Sequence, residues 1–95
     1  MDLFEKFGIE TDNKHLYEIA FTHASYSTYN DLDYTYERLE FLGDSVLGVI
    51  VSEYLYKKYP NYEEGELTKI RSNFVCQNAL IYYSHKLGLQ EFLKV

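Results

Sequence analysis

The sequence contains few of the residues that cross-link a chain or insert it into a membrane. Its single cysteine, Cys76, excludes an internal disulfide and favours a reducing compartment. The longest purely apolar run, Val46 to Val51, is far shorter than the roughly 20 residues that span a bilayer. The N-terminus lacks the basic-then-apolar order of a signal peptide. We therefore expect a cytoplasmic protein that makes no membrane contact.

Basic residues are also scarce. The chain has 9 lysines and arginines against 15 aspartates and glutamates, which gives a net charge of −6. Such a chain repels a phosphate backbone unless cations or a basic partner domain intervene. The same excess of acid is what a cation-dependent site shows before its metal binds. Composition alone therefore leaves a nucleic-acid partner open.

Length and composition indicate one small domain, which we place at residues 1–95. Apolar residues make up 46% of the chain and charged residues 25%, as in ordinary soluble globular proteins. Tyrosine occurs 11 times and tryptophan is absent. Because a tyrosine has an apolar ring and a polar hydroxyl, many of these side chains could line a half-buried surface or an interface.

The apolar spacing predicts an all-α fold with four or five helices. Asp2 is expected to cap a short first helix that ends at Gly8. A second helix is predicted from Asn13 to Phe21, with Asp12 as its cap. The polar segment from Thr22 to Asp33 shows no strand alternation, so we predict a loop there with room for one helical turn.

The longest helix is predicted from Tyr36 to Pro60, with Thr35 as its cap, because a proline cannot continue a helix. Its main apolar arc spans roughly 100° of the helix surface. The arc comprises Leu39, Leu42, Val46, Val49 and Ile50. Almost opposite, on one line, lie Glu37, Glu40 and Asp44. We expect this helix to be central, with its carboxylates at the edge of the core.

The chain beyond the long helix is predicted to be helical as well. Asn61 is expected to start a helix in a capping-box-like arrangement with Glu64, and Gly88 to end the helical region. The pattern leaves open whether this region is one helix or two helices joined near Asn73. A short apolar element from Leu89 to Val95 completes the sequence.

The acidic line Glu37, Glu40 and Asp44 is a candidate metal site. Most charged stripes on helices are only solvated faces, and the spacing alone favours that interpretation. However, neither Glu37 nor Glu40 has a lysine or arginine four residues later that would neutralise it. Magnesium prefers carboxylate oxygens and water as ligands. Such an ion can activate a water for phosphodiester cleavage.

The segment from Glu37 to Leu47, ERLEFLGDSVL, resembles the hallmark segment of the ribonuclease III family nearly letter for letter. Two flanking segments fit the same family: Phe21 to Tyr26 upstream, and Glu64 to Thr68 followed by Arg71 downstream. The resemblance covers essentially the whole chain. It implies a helical endonuclease domain that acts as a homodimer on double-stranded RNA with magnesium, or with manganese in its place.

The resemblance also implies roles for individual residues. Glu40 and Asp44 match family positions that contribute to the magnesium site. Glu37 and Glu64 match acidic positions that line the catalytic valley. Phe41 matches an aromatic residue that inserts into a pocket of the partner subunit, and its place outside the main apolar arc favours the same role.

The sequence departs from the family pattern at its C-terminal side. In the family, two further acidic metal-site residues lie on a helix well downstream, and a double-stranded-RNA-binding domain often follows. Neither is present up to Val95, so the chain resembles only the front part of the nuclease domain, in an incomplete, truncated form. We predict that it binds RNA weakly and is inactive or nearly so. The alternative is a non-catalytic interaction module that keeps the dimer surface.

Other candidate residues have ordinary structural explanations. Glu64 fits a helix cap as well as it fits a catalytic role. His23 is expected at a helix end, where the backbone satisfies it, and Cys76 on an apolar helical face in the core. Lys57 and Lys58 form a small basic cluster that fits a phosphate contact or a solvated helix end.

Overall fold

A computed structural model describes residues 2–95, and these residues form an all-α fold. The helices are α1 (Leu3–Phe7), α2 (Lys14–Ala20), α3 (Ala24–Tyr29), α4 (Glu37–Lys58), α5 (Glu64–Val75) and α6 (Gln77–Leu87), followed by a 3₁₀ turn at Leu89–Phe92. The predicted fold class is confirmed, although the described part has six α-helices instead of four or five. Two compact units are present: one holds residues 2–40 together with Glu91–Val95, and the other holds Phe41–Gln90.

Helix α1 has the predicted ends. The Asp2 carboxylate accepts a hydrogen bond from the Glu5 backbone N–H at 2.8 Å, which satisfies a donor that the first turn leaves unpaired. Gly8 ends the helix in the left-handed region with φ of 63°. Its N–H bonds back to the last turn, at Glu5 and Phe4. Both predictions for this helix are therefore confirmed.

Gly8 offers a test of backbone strain against a matched glycine. A Cβ at Gly8 or at Gly65 would meet no atom within 4 Å, but only Gly8 has a positive φ. We expect Gly8→Ala to lower the free energy of unfolding by roughly 1–2 kcal/mol, because the left-handed region is unfavourable for alanine. Gly65→Ala, in a helix, is expected to raise it by roughly 0.4–1 kcal/mol. Urea titrations measure both, and changes of the same sign would contradict the assignment.

Helix α2 starts one residue later than predicted and lacks the predicted cap. Asn13, not Asp12, occupies the N-cap position, and it makes no side-chain capping hydrogen bond. Asn13 instead donates its backbone N–H to the Thr11 hydroxyl at 3.0 Å. The prediction of Asp12 as the cap is therefore wrong, because a local turn at Thr11 shifts the start of the helix.

Helix α3 lies in the segment predicted as a loop with room for one helical turn, and its six residues make it somewhat longer than that turn. His23 caps it: Nδ1 of His23 accepts a hydrogen bond from the Ser25 backbone N–H at 3.1 Å. The predicted role of His23 at a helix end is thus confirmed. The segment itself, ASYSTY, has six helical residues but no apolar period. The hydrophobic periodicity of the sequence therefore does not predict this helix, which the His23 cap stabilises.

The last residues of the chain pair with the segment that precedes α3. Thr22 is fully buried and forms an isolated parallel bridge with Lys94. The His23 N–H donates to the Lys94 carbonyl at 2.9 Å, and the Lys94 N–H donates to the Phe21 carbonyl at 2.8 Å. The rings of Phe21 and Phe92 meet edge to face, with centroids 6.2 Å apart. The predicted final apolar element thus packs against Phe21 through Phe92.

Helix α4 has nearly the predicted length. It spans Glu37–Lys58, and the Thr35 hydroxyl accepts a hydrogen bond from the Glu37 N–H at 3.2 Å, as expected for the cap. Leu55 is its buried residue. The main apolar arc is not buried, however, with side-chain exposures of 58% at Leu42, 49% at Val46, 69% at Val49 and 61% at Ile50. We expected this arc to pack in a core with the carboxylates at its edge, and this is not met in residues 2–95. Burial of the arc requires another apolar surface to pack against it.

The chain between α4 and α5 makes a longer turn than predicted. The Tyr62 N–H donates to the Tyr59 carbonyl at 3.2 Å, and the two tyrosine rings stack. Glu63 occupies the N-cap position, and Glu64 is the first helical residue. The prediction that Asn61 starts this helix is wrong by three residues, since the stacked turn extends beyond it.

Two helices follow, and the break between them lies at Cys76. This residue is extended, with φ of −69° and ψ of 161°, so it ends α5 and precedes α6. The two helices pack together, and the Tyr83 hydroxyl donates to the Phe74 carbonyl at 3.1 Å. Cys76 is exposed, so the prediction of a core position for it is wrong. Gly88 ends α6 with φ of 69°, as predicted.

Candidate active site

The first half of α4 carries three of the four predicted catalytic carboxylates. Glu37 is the first helical residue, and Glu40 and Asp44 follow it on the same helix. Glu40 and Asp44 are four residues apart, which places their side chains one above the other on the helix surface. All three side chains are exposed. Carboxylates in the first turn also interact favourably with the positive end of the helix dipole.

The described residues supply only a partial ligand set for a cation. Within residues 2–95, no group of three or more histidine, cysteine, aspartate or glutamate side chains is arranged to hold a metal ion. The predicted residues Glu37, Glu40, Asp44 and Glu64 therefore do not form such a group. The oxygens of Glu40 and Asp44 do have the right chemistry for magnesium, which commonly binds one or two carboxylates and keeps several waters.

Glu64 lies at one end of a groove between α4 and α5. It is exposed, and it lines a space of about 790 Å³ together with Ser45, Gly48, Ser52 and Arg71. Nη1 of Arg71 donates to the Ser52 hydroxyl at 2.9 Å and so links the two helices. The structure thus places Glu64 beside α4 but not in a capping position. Sequence reasoning missed Ser52, since a lone serine on a helix carries no signal.

Phe41 lies on the surface beside the carboxylates. Its side chain is 81% exposed, the second-highest value among the large hydrophobic residues that are exposed. Exposed phenylalanine is unfavourable, because about 25 cal/mol is lost for each Å² of apolar surface left in water. The described residues leave most of the ring exposed to solvent. The ring is therefore accessible to a partner subunit, as an interface residue must be. Its insertion into a partner subunit remains a prediction.

Comparison with known proteins identifies the family of this chain. A family model described as ribonuclease-III-like matches residues 13–95, which is most of the chain. The chain belongs to the ribonuclease III family. It is 48% identical over 96 aligned positions to ribonuclease 3 of Natranaerobius thermophilus, and the match covers 100% of this chain and 41% of that protein. Ribonuclease 3 of Staphylococcus aureus is 46% identical over 89 positions, covering 90% of this chain and 36% of the relative.

A solved member of the ribonuclease III family has the same fold. The nuclease domain of ribonuclease III from Campylobacter jejuni superposes with a TM-score of 0.85 at 36% identity, covering 96% of this chain and 61% of that one. Its structure is described as showing flexibility in a region involved in dimer formation. The chain thus spans about two-fifths of the length of the curated relatives it matches.

None of the helices in residues 2–95 combines the length and the apolar character needed to span a bilayer.

Proposed function

We propose that this chain forms part of a magnesium-dependent endonuclease that hydrolyses both strands of double-stranded RNA as a homodimer. One observation carries the proposal: Glu40 and Asp44 lie exposed, one helical turn apart, in a chain that belongs to the ribonuclease III family. Ribonuclease 3 is the name of relatives at 44–48% identity. The sequence shows few features suited to recognising particular bases. This fits a duplex-RNA substrate, because proteins recognise RNA duplexes mostly by their shape.

The proposed roles of the carboxylates are those that the resemblance to the ribonuclease III family implies. Glu40 and Asp44 would hold the cation, with magnesium as the natural ion and manganese as a substitute. When bound, such an ion supplies a polarised water and stabilises the leaving oxygen. Glu64 lines the groove between α4 and α5, and Glu37 is the first residue of α4. Each would keep the potential around it negative, which attracts divalent cations and repels RNA until they bind.

Self-association is the second part of the proposal. Phe41 is exposed beside the carboxylate pair, and the Campylobacter jejuni domain has a region involved in dimer formation. A two-fold interface uses each such contact twice. The dimer would then present two carboxylate pairs, one for each strand of the duplex.

A non-catalytic interaction module is the second candidate function. The observation that favours it is the lack, within residues 2–95, of any group of three potential metal ligands. A module of this kind would keep Phe41 and dimerise without binding a cation at Glu40 and Asp44.

Cation binding separates the two candidates. We expect the 95-residue chain to bind Mn²⁺ weakly. Glu40→Gln or Asp44→Asn should lower the Mn²⁺ affinity by roughly tenfold or more, because even the loss of a residue that only hydrogen-bonds to a metal ligand commonly has an effect of this size. Glu66→Gln is the matched control, because Glu66 is an exposed carboxylate on another helix. Electron paramagnetic resonance of free Mn²⁺ gives the affinity directly. Equal Mn²⁺ affinities for the wild type and for the three variants would favour the interaction module.

A further inference from the structure

The end of α4 and the turn after it form a second distinctive surface. Residues 54–62 read YLYKKYPNY, with four tyrosines, two lysines and no acidic residue. This composition contrasts with a chain whose net charge is −6. We call this surface the tyrosine–lysine cluster, and its members are Tyr54, Tyr56, Lys57, Lys58, Tyr59 and Tyr62.

Lys58 is held at the centre of the cluster by aromatic side chains. Its Nζ donates a hydrogen bond to the Tyr54 hydroxyl at 2.9 Å, and it lies 5.3 Å and 5.6 Å from the ring centroids of Tyr54 and Tyr59. The hydrogen bond to Tyr54 raises the pKa of Lys58 above its ordinary value, and the ammonium is charged at neutral pH as that of an exposed lysine ordinarily is. No carboxylate of residues 2–95 lies within ion-pair distance of it. Lys58 thus has a positive charge that is available to an anionic partner.

The tyrosine rings of the cluster offer flat surfaces for stacking. Tyr59 and Tyr62 stack with centroids 4.7 Å apart and planes 12° apart. Tyr56 is 73% exposed. A cavity of about 290 Å³ lies between these rings, bordered also by Lys57 and Pro60. An aromatic slot near a free ammonium group, here that of Lys58 beside the Tyr59 ring, is a combination with which proteins bind unpaired nucleotides: bases stack on the rings and a phosphate contacts the cation.

We propose that the tyrosine–lysine cluster binds single-stranded RNA, such as the unpaired nucleotides that flank a duplex. The proposal rests on the proposed function for the choice of RNA as the partner. Lys57 is ion-paired with Glu53 at 3.5 Å, so Lys58 carries the uncompensated charge of the cluster. Charge complementarity with Lys58 favours RNA over a proline-rich peptide, which also uses aromatic grooves but gains nothing from an uncompensated ammonium group. Lys57 and Lys58 also offset the negative end of the α4 dipole, which would otherwise repel a phosphate.

The test uses the 95-residue chain and an eight-nucleotide fluorescein-labelled oligouridylate at low salt. We expect Tyr56→Ala to weaken binding roughly tenfold, within the range for the loss of one stacked base. Lys58→Gln should weaken binding and lower its salt dependence, because one phosphate contact is lost. A matched pair serves as the control: Tyr82 is 58% exposed, and Lys86 lies 6.0 Å from its ring, but neither belongs to the cluster. Tyr82→Ala and Lys86→Gln should leave the affinity unchanged. Circular dichroism confirms that each variant is folded.

Several results would overturn this inference. These are the absence of oligonucleotide binding, an equal loss with the control pair, or binding of a proline-rich peptide in preference to the oligonucleotide. The Mn²⁺ titration tests the proposed function separately from the oligonucleotide-binding experiment. If Glu40 and Asp44 bind Mn²⁺ while the cluster binds no RNA, only the inference about the cluster is wrong. If the cluster binds RNA while Mn²⁺ binding is insensitive to Glu40 and Asp44, the cluster stands and the proposed catalytic role fails.

Discussion

Replacing Phe41 by alanine is expected to raise the dimer dissociation constant of this chain by about 100- to 10,000-fold. The side chain is 81% exposed in the single chain, and burying a phenylalanine contributes roughly 1.5–3 kcal/mol. Because a two-fold interface contains the contact twice, the loss is about 3–6 kcal/mol per dimer. Each 1.4 kcal/mol corresponds to about tenfold in affinity. Sedimentation equilibrium over a range of concentrations measures the change.

A second exposed aromatic residue provides the control for that measurement. Tyr29, the last residue of α3, is 89% exposed and lies far from Phe41 in the sequence. Tyr29→Ala should leave the dissociation constant unchanged if dimerisation depends on Phe41 specifically. A wild-type chain that stays monomeric at millimolar concentration would contradict the prediction. A dimer equally sensitive to both substitutions would show that exposed aromatic surface in general drives association.

The apolar arc of α4 adds a further variant to this experiment. Leu42 and Val49 are 58% and 69% exposed, so a dimer built on the arc would weaken when either becomes alanine. A dimer built on Phe41 should respond much less to Val49→Ala, because Val49 lies two turns farther along the helix. The ratio of the two effects therefore locates the interface on α4.

The ends of α1 and α4 could be predicted because single residues determine them. Asp2 supplies the capping oxygen that the first turn of α1 lacks, and Gly8 adopts the left-handed conformation that ends it. Thr35 acts in the same way at the start of α4, and Pro60 excludes continuation of that helix. In each case the deciding interaction is local, and the sequence contains both partners.

The elements that escaped prediction depend on contacts that are not periodic. Helix α3 consists of small and polar residues and tyrosines, and its start depends on the ring nitrogen of His23. The break at Cys76 involves neither glycine nor proline. The late start of α5 follows from the stacking of Tyr59 on Tyr62. None of these features alters the hydrophobic pattern from which helices were predicted.

Burial was the least predictable property of the candidate site. The line of Glu37, Glu40 and Asp44 follows from helical geometry, and α4 places these residues as the spacing requires. Whether a carboxylate borders a core or faces water depends on what packs against the helix, and a helix pattern does not contain that information. The same holds for Glu64, which lines the groove between α4 and α5, because the packing of two helices involves contacts such as that of Arg71 with Ser52.

The 95-residue chain by itself is expected to cleave duplex RNA at least roughly 100-fold more slowly than a chimera that supplies the rest of the enzyme. In the chimera, these residues replace the matched region of ribonuclease 3 from Natranaerobius thermophilus, to which they are 48% identical. The reason is geometric: the described residues provide no complete group of metal ligands, and a misplacement of about 1 Å at a reacting centre can cost about 100-fold in rate. Cleavage of a long labelled duplex in Mg²⁺ gives both rates.

Variants of the chimera connect the rate to the carboxylates on α4. Asp44→Asn should slow its cleavage by roughly 100-fold or more, since a bound metal contributes several kcal/mol to stabilising the charge that develops in the reaction. Glu66→Gln should not, because Glu66 is an exposed carboxylate on α5 and not on the helix that carries Glu40 and Asp44. Efficient cleavage by the 95-residue chain alone would refute the expected dependence on further ligands. An active chimera that tolerates Asp44→Asn would instead remove Asp44 from the site and leave its exposed position on α4 without a catalytic role.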